Sequence, residues 1–428
     1  MKKKRVLPNG WHEVVIGKEF KTGSGGTPLS TRKEYYEGGT IPWINSGELN
    51  ENYIDRTDNY ISELGLNNSS AKLYPKGTVL VAMYGATAGK SSILNIEACT
   101  NQAICAILEN SNYSSLFVKY SIENLYDYLV NKSTGSARDN LSQEGIAELS
   151  LFFPDGKDRQ ERLIKILKDI DQKISINVRM NAELEAMAKQ IYNYWFVQFD
   201  FPDENGHPYK SSGGKMVYNE KLKREIPEGW GAKPVSNFIE HINTGLNPRQ
   251  NFVLGNGNIK YITVKNLRTD GTIDFSNCDL IDEDARAKVH KRSGIQIKDI
   301  LFASIAPLGR CHIIMRDPDD WDINESVFSI RPKQEIISPY YLYIYFMSDW
   351  FVKKAEKESA GSIFAGIRVN SLMEMPLLYA PHQIFESFEE KVDSLFIKRE
   401  LLSNEINYLT HLRDSLLPML MNGQVTVE

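Results

Sequence analysis

Residues 158–196 read DRQERLIKILKDIDQKISINVRMNAELEAMAKQIYNYWF. Within this stretch Leu163, Leu167, Ile170, Ile174, Asn177, Asn181, Leu184, Ala188, Ile191 and Trp195 recur in steps of four and three. Asn177 and Asn181 are the only polar members. The spacing predicts one α-helix with a heptad seam, sustained too long for an ordinary globular helix of about three turns. Neither Pro nor Gly interrupts it. At a rise of 1.5 Å per residue such a rod is on the order of 55 Å long. A lone rod with an apolar seam is unstable in water and needs a partner helix.

A second seam lies in the same chain. Phe385, Phe388, Val392, Leu395, Leu402, Ile406, Leu409 and Leu416 follow a similar step. Arg399 and Arg413 interrupt it, which predicts pairing that is loose or wet at those two points. Two seams of similar length in one polypeptide favour an intramolecular antiparallel pair over a homodimeric coiled coil. The Asn177/Asn181 pair reads either as a register lock or as a polar patch facing a partner.

Composition narrows the functional classes. With 428 residues the chain can build two or three compact units. Its 42% hydrophobic and 25% charged residues are ordinary for a globular protein. No apolar run approaches the roughly 18 residues of a membrane span, and the basic start MKKKRVLPNGW has no apolar region behind it. A cytoplasmic bacterial or archaeal setting is expected. Cys99, Cys105, Cys278 and Cys311 form no CxxC or disulfide pattern, so buried free thiols are expected. The net charge of −5 is spread as −2 over residues 1–156, +1 over 157–201, 0 over 202–380 and −4 over 381–428. A nucleic-acid partner would therefore be held by local clusters or by another subunit's charge.

The two halves repeat. Pro8-Asn9-Gly10-Trp11 returns as Pro227-Glu228-Gly229-Trp230, and the loop Gly23-Ser24-Gly25-Gly26-Thr27-Pro28 is answered by Thr244-Gly245-Leu246-Asn247-Pro248. Ile41-Pro42-Trp43-Ile44-Asn45 answers Ile259-Lys260-Tyr261-Ile262-Thr263, and Asn101-Gln102-Ala103-Ile104 answers Asn324-Glu325-Ser326-Val327. Gly89-Lys90 matches Gly309-Arg310, and Gly135-Ser136 matches Gly361-Ser362. Conserved order along the whole series makes chance similarity untenable. The predicted architecture is α+β, with two mixed α/β recognition domains and two long antiparallel helices in a pseudo-two-fold internal repeat. The expected divisions are a first domain at 1–156, a helix at 157–200, a linker at 201–228, a second domain at 229–380, and a helix with tail at 381–428. Strands are expected at Thr78–Ala82, Ile104–Leu108, Ile300–Ala303 and Ser326–Ile330, and helices at Leu116–Val130 and Pro339–Lys357. An antiparallel rod pair would place the two domains at opposite ends, as a ruler between separated half-sites of duplex DNA.

Candidate contacts with DNA sit in the repeated loops. In the first domain they are Lys21, Thr22, Ser24, Thr27, Arg32 and Lys33, whose hydroxyls and cations suit phosphate. The counterpart offers Asn243, Thr244, Asn247, Arg249 and Gln250, of which Asn, Arg and Gln are residue types that make bidentate contacts to base edges. Lys90 and Arg310 occupy equivalent turns and could reach the DNA backbone. Ser136, Arg138, Asn140, Lys265, Arg268, Ser362 and Arg368 complete the set. A solvated surface loop is the plain alternative for each. Trp43 and Tyr261 are read as core residues, not stacking platforms. The Gly85–Ser91 stretch lacks the glycine spacing of a P-loop. No nucleophile–base pair, HExxH, metal-ligand cluster or nuclease motif is visible. The Asn-Pro pair at 247–248 continues as Arg-Gln, without the Asn-Pro-Pro-aromatic signature of amino-methyltransferases.

Two Gly-x-Thr-Pro-type domains, each followed by a long helix, resemble the specificity subunits of Type I restriction–modification enzymes. Ile191-Tyr192-Asn193-Tyr194-Trp195-Phe196-Val197-Gln198-Phe199-Asp200-Phe201-Pro202 is similar to the close of that family's first helix. Leu412-Arg413-Asp414-Ser415-Leu416-Leu417-Pro418-Met419-Leu420-Met421-Asn422-Gly423 is similar to its C-terminal ending. The second domain departs at Leu246-Asn247-Pro248. The resemblance implies a non-catalytic subunit that reads a bipartite, asymmetric target in double-stranded DNA. It implies two methyltransferase subunits and two restriction–translocase subunits as partners, with S-adenosylmethionine, ATP and Mg used by those partners and no cofactor in this chain. The helix endings then supply candidate partner contacts: Tyr194, Trp195, Phe196, Phe199, Leu416, Leu417, Pro418 and Met421. The alternatives are a chain with its own modification activity, or an assembly scaffold that touches no DNA.

Overall fold

Val79–Ala82 and Ile104–Ile107 are short runs of apolar residues in which every side chain is buried. A strand that is apolar on both faces must be covered on both. In the computed structural model, which describes residues 7–85, 87–133, 141–359 and 366–425, these two strands pair antiparallel at the centre of a five-stranded sheet. Its order is Thr22–Ser24, Ile104–Ile107, Val79–Ala82, Ser91–Leu94, Tyr53–Ile54. A second sheet runs Tyr60–Ile61, Ile41–Ile44, Ala98–Thr100, Leu73–Tyr74. Trp11–Val15 pairs with Ser150–Pro154. These elements belong to the first of two compact units, Met1–Ile174 with Leu409–Glu428.

The second unit, Ser175–Tyr408, is built on the same plan. Its main sheet runs Ile239–Thr244, Val327–Pro332, Ile300–Ala303, Cys311–Ile313. Its companion runs Asp279–Ile281, Ile259–Ile262, Trp321–Ile323, and Gly231–Pro234 pairs with Pro376–Tyr379. The strands of these three sheets occupy the positions of their repeat partners, while Tyr53–Ile54 and Leu73–Tyr74 are edge strands of the first unit with no counterpart in the second unit's sheets. In both units the companion sheet contains a parallel pair, 43–44 with 99–100 in one and 260–262 with 321–323 in the other. The expected strands are present within a residue or two.

Two expectations about helices change. Leu116–Val130 is not one helix but two, Ser115–Glu123 and Tyr126–Ser133. Pro339–Lys357 likewise divides into Pro339–Met347 and Asp349–Ser359. The break falls at Ser348, whose backbone is extended and whose hydroxyl accepts the Phe351 N–H at 3.3 Å. Serine competes with the helix for backbone hydrogen bonds and starts the next one. Pro339–Met347 (PYYLYIYFM) has no hydrophilic face to give to water, and its buried tyrosines form much of the second unit's core.

The region read as a linker carries structure. Met216–Asn219 and Arg224–Pro227 form an antiparallel hairpin. Phe201 is buried between Tyr209 and Trp230, stacked on both rings. Its composition is that of a loop, but three aromatic rings give it a core contact.

The long helices are Lys157–Tyr192, extended by a π-turn at Asn193–Val197, and His382–Met421. They pack antiparallel. In the second unit Asn177 meets Glu405 at 2.8 Å, Asn181 meets Ser403 at 3.1 Å and Arg399 meets Glu185 at 3.2 Å, one sequence rising as the other falls. Phe196 and Trp195 close this end against Phe385 and Phe388. In the first unit Arg413 reaches Asp171 at 3.3 Å. The two arginines therefore do not loosen the seam. Each finds a carboxylate on the facing helix, and the buried Asp171 also accepts from Tyr120 at 2.5 Å and Asn52 at 2.7 Å. Asn177 and Asn181 are register-setting contacts, each donating to one polar side chain of the other helix.

Candidate nucleic-acid interface

Gly25 and Gly245 occupy equivalent places, and in both the missing side chain is the requirement. A Cβ on Gly25 would stand 1.9 Å from the Thr100 carbonyl oxygen, and one on Gly245 would stand 1.6 Å from that of Ile323. Only glycine lets the loop backbone approach the neighbouring strand so closely. The approach is used: Gly26 N–H donates to the Thr100 carbonyl at 2.9 Å, and Gly245 N–H to that of Asn324 at 3.1 Å.

An aromatic residue pins each loop from inside. Trp43 Nε1 donates to the Gly26 carbonyl at 3.0 Å, and the Tyr261 hydroxyl to the Leu246 carbonyl at 2.5 Å. Both rings are buried, so they serve as core residues that hold the loop and not as platforms for bases. The first loop has two more pins: Tyr36 donates to the Pro28 carbonyl at 2.5 Å and Tyr74 to that of Ser24 at 2.9 Å. Burial, with the nearby Cys105 and Cys99, pushes Tyr74 up to about 12, which keeps its hydroxyl a donor. Asn101 and Asn324 then turn the chain alike, their side-chain oxygens accepting from Ala103 N–H at 3.1 Å and Ser326 N–H at 3.0 Å. The repeat placed Trp43 opposite Tyr261 but gave no sign of Tyr36 or Tyr74, whose partners lie eight and fifty residues away.

On this frame the candidates differ in how free they are. In the first unit Lys21 and Lys33 are exposed, and Arg32 makes only a solvated pair with Glu34 at 3.3 Å. Thr27 donates to Gln102 at 2.5 Å, and both are exposed, so Gln102 joins the candidate set. Thr22 accepts from Gln143 at 3.2 Å. Ser24 is half-buried in its strand. Lys90 donates to Asn50 at 3.0 Å.

In the second unit Arg249 is exposed, with a positive φ of 21°, and Asn247 and Thr244 are half-buried. Asn243 faces inward, donating to the Ser293 carbonyl at 3.2 Å. Lys265 is exposed, Arg268 pairs with Asp274 at 3.1 Å, and Arg368 is exposed just before the short helix Val369–Met373. Ser136, Arg138, Asn140 and Ser362 lie outside the described residues.

Five of the candidates sit in surroundings unlike those of a solvent-facing contact. Arg310 is not a free counterpart of Lys90: its guanidinium donates to the carbonyls of Val264 at 2.5 Å, Pro307 at 3.0 Å and Ala306 at 3.4 Å. It clamps its own turn, and burial lowers its pKa. Trp195, Phe196 and Phe199 are buried in the second unit's core, and Met421 in the first's. Large apolar rings at a helix end are drawn into the nearest core. Of the proposed partner contacts, Tyr194 and Pro418 are exposed and Leu416 and Leu417 half-buried.

The result is a pair of braced loops that present amide, hydroxyl and guanidinium groups on rigid supports, chemistry suited to phosphates and base edges. Among the described residues no group of three or more His, Cys, Asp or Glu is placed to hold a metal ion. No helix among them is long and apolar enough to cross a membrane.

Comparison with known proteins agrees with this arrangement. Residues 8–186 match the family model of the Type I restriction modification DNA specificity domain. The chain is 26% identical, over 99% of its length and 95% of the relative's, to the Type I restriction enzyme MjaIX specificity subunit of Methanocaldococcus jannaschii. It is 21% identical to the HindI specificity subunit of Haemophilus influenzae, over 95% of this chain and 99% of that one. Its fold is similar to that of the crystal structure of a Type I restriction–modification S subunit from M. genitalium, with a TM-score of 0.55 at 16% identity over 98% of each chain.

Proposed function

Because the chain belongs to the family of Type I restriction–modification specificity subunits, non-catalytic subunits that recognise the DNA target, we propose that it reads a bipartite, asymmetric sequence in double-stranded DNA. Each unit reads one half. The observation that carries this reading is the paired loop. Gly25 with Trp43, and Gly245 with Tyr261, brace two loops in the same way, while the exposed side chains on them differ. Equal supports with unequal reading groups suit two half-sites of different sequence. Arg32, Lys33 and Thr27 with Gln102 act in the first unit; Asn247, Arg249 and Lys265 act in the second.

The long helices set the spacing between half-sites, and their exposed residues, with Tyr194 and Pro418 at the endings, face two methyltransferase subunits. Those subunits carry S-adenosylmethionine chemistry, and two ATP- and Mg-dependent restriction–translocase subunits join them. A net charge of −5 supports sharing the DNA with such partners. The test is to express the chain with its methyltransferase, exchange residues 1–156 for the matching domain of a relative, and sequence the host methylome. One half of the methylated motif should change. A motif in which both halves change, or neither, would overturn the reading.

A further inference from the structure

The helix Glu283–Ser293 (EDARAKVHKRS) was not singled out by any motif, yet it borders the second unit's loop. Asp282 caps its start by accepting from Ala285 N–H at 2.8 Å, and Gly294, left-handed at φ 53°, ends it. Ala285, Val289 and Ser293 are buried. The first two pack with Ile259, Tyr261 and Ile281, against which Leu246, Phe252 and Leu254 of the loop also rest. The helix thus shares a core with the pinned loop itself.

Its other side carries charge. Lys288, Lys291 and Arg292 are exposed and spaced i, i+3, i+4, which puts them on one face. Other cations of this unit, Lys260, Arg268, Arg316 and Arg331 among them, are in ion pairs, but none of the three has a carboxylate partner among the described residues. Lys288 points along the loop, its Nζ 3.4 Å from the Asn251 carbonyl, beside Asn247, Arg249 and Gln250. Cations in a last turn also offset a helix dipole. That accounts for Lys291 and Arg292 but not for Lys288, which lies before the last turn. The equivalent helix of the first unit, Glu63–Asn67, has five residues and no cation in its last turn.

We propose that Lys288, Lys291 and Arg292 form a phosphate clamp that seats the DNA backbone beside the half-site read by the 247–250 loop. The inference rests on the DNA-reading role proposed above. The clamp supplies affinity and register without choosing bases.

The test uses the full chain in complex with its methyltransferase, on a duplex bearing the motif methylated in vivo, with binding followed by fluorescence anisotropy across KCl concentrations. Each lost phosphate contact makes the slope of log K against log salt shallower by about 0.9, so K288A/K291A/R292A should flatten it by roughly 2.7. The charge-retaining K288R/K291R/R292K should keep the parent slope, and the methylated motif should stay the same. K210A/K221A/K357A, which removes equal charge elsewhere on the unit, should change the slope far less. An unchanged slope in the first variant, an equal change in the charge control, or an altered motif overturns the clamp. Absence of DNA binding by the parent complex instead overturns the DNA-reading role.

Discussion

Arg399 donates to the Glu185 carboxylate at 3.2 Å with side chains only 9% and 13% exposed, and the same guanidinium reaches the Asp270 carbonyl at 2.8 Å. A charge buried this deeply is tolerated because its partners face it from two elements. The same logic holds for Arg413 and Asp171, where Tyr120 and Asn52 share the acid. The interruptions of the second seam are its polar fasteners.

Removing one partner should therefore cost far more than removing both. Arg399→Ala is expected to destabilise the chain by about 1.5–3 kcal/mol, because Glu185 keeps Lys189 at 2.6 Å but loses its charged partner on the facing helix. R399L/E185L should recover most of that loss. Denaturant titration of both variants checks it, and equal losses would mean that the pair carries no coupling.

The pinned glycines should separate recognition from folding. Gly25→Ala places a methyl group at 1.9 Å from the Thr100 carbonyl oxygen, and Gly245→Ala places one at 1.6 Å from that of Ile323. Either must push its loop off the strand. Specific DNA binding by the methyltransferase complex should fall at least tenfold, about 1.4 kcal/mol, while thermal melting shifts by a few degrees. Anisotropy on cognate and scrambled duplexes measures the first effect, and scanning calorimetry the second.

The cysteines should be inert in the folded chain. Burial raises the Cys99 thiol to about 11, and burial with Glu144 nearby raises Cys105 to about 12. Burial, with Asp274, also raises Cys278 to about 12, and Cys311 is wholly buried and raised as well. Thiolate is the reactive form, so at mildly alkaline pH a disulfide reagent should label none of the four rapidly. Denaturant should release all four, counted by absorbance.

Asp320 gives a pH dependence of known sign. Burial works against its charge, but Arg316 and Lys260, both at 2.8 Å, outweigh that and hold its pKa below the ordinary 3.8. A depressed carboxylate stabilises the fold above its unfolded pKa and loses that contribution as pH falls through the folded one. Asp320→Asn should melt below the parent at neutral pH, with the gap closing beneath about pH 4. A gap constant with pH would remove the charge from the explanation.

Periodicity and repetition were legible without coordinates because both are local or self-similar. Leu163, Leu167 and Ile170 had to face a partner, since a heptad of apolar residues has no other stable place in water. The loop at 23–28 answers that at 244–248, and the packing shows why glycine recurs there: at 25 and at 245 the same backbone approach demands the absence of a side chain. Trp43 and Tyr261 were placed in the core for the same reason of size and apolarity.

Tertiary structure decided what each charged or polar group spends its hydrogen bonds on. Arg310 and Lys90 look alike in the repeat, yet Arg310 is consumed by three backbone carbonyls while Lys90 meets one surface asparagine. Arg399 reads as a flaw in a seam until Glu185 appears more than two hundred positions away. The basic face of Glu283–Ser293 is an unremarkable charge cluster until packing sets it beside the loop. Apolar side chains are driven by water, and their spacing alone tells which way they turn. A polar group's role depends on which partners the fold delivers to it, and that information lies in contacts between distant parts of the chain.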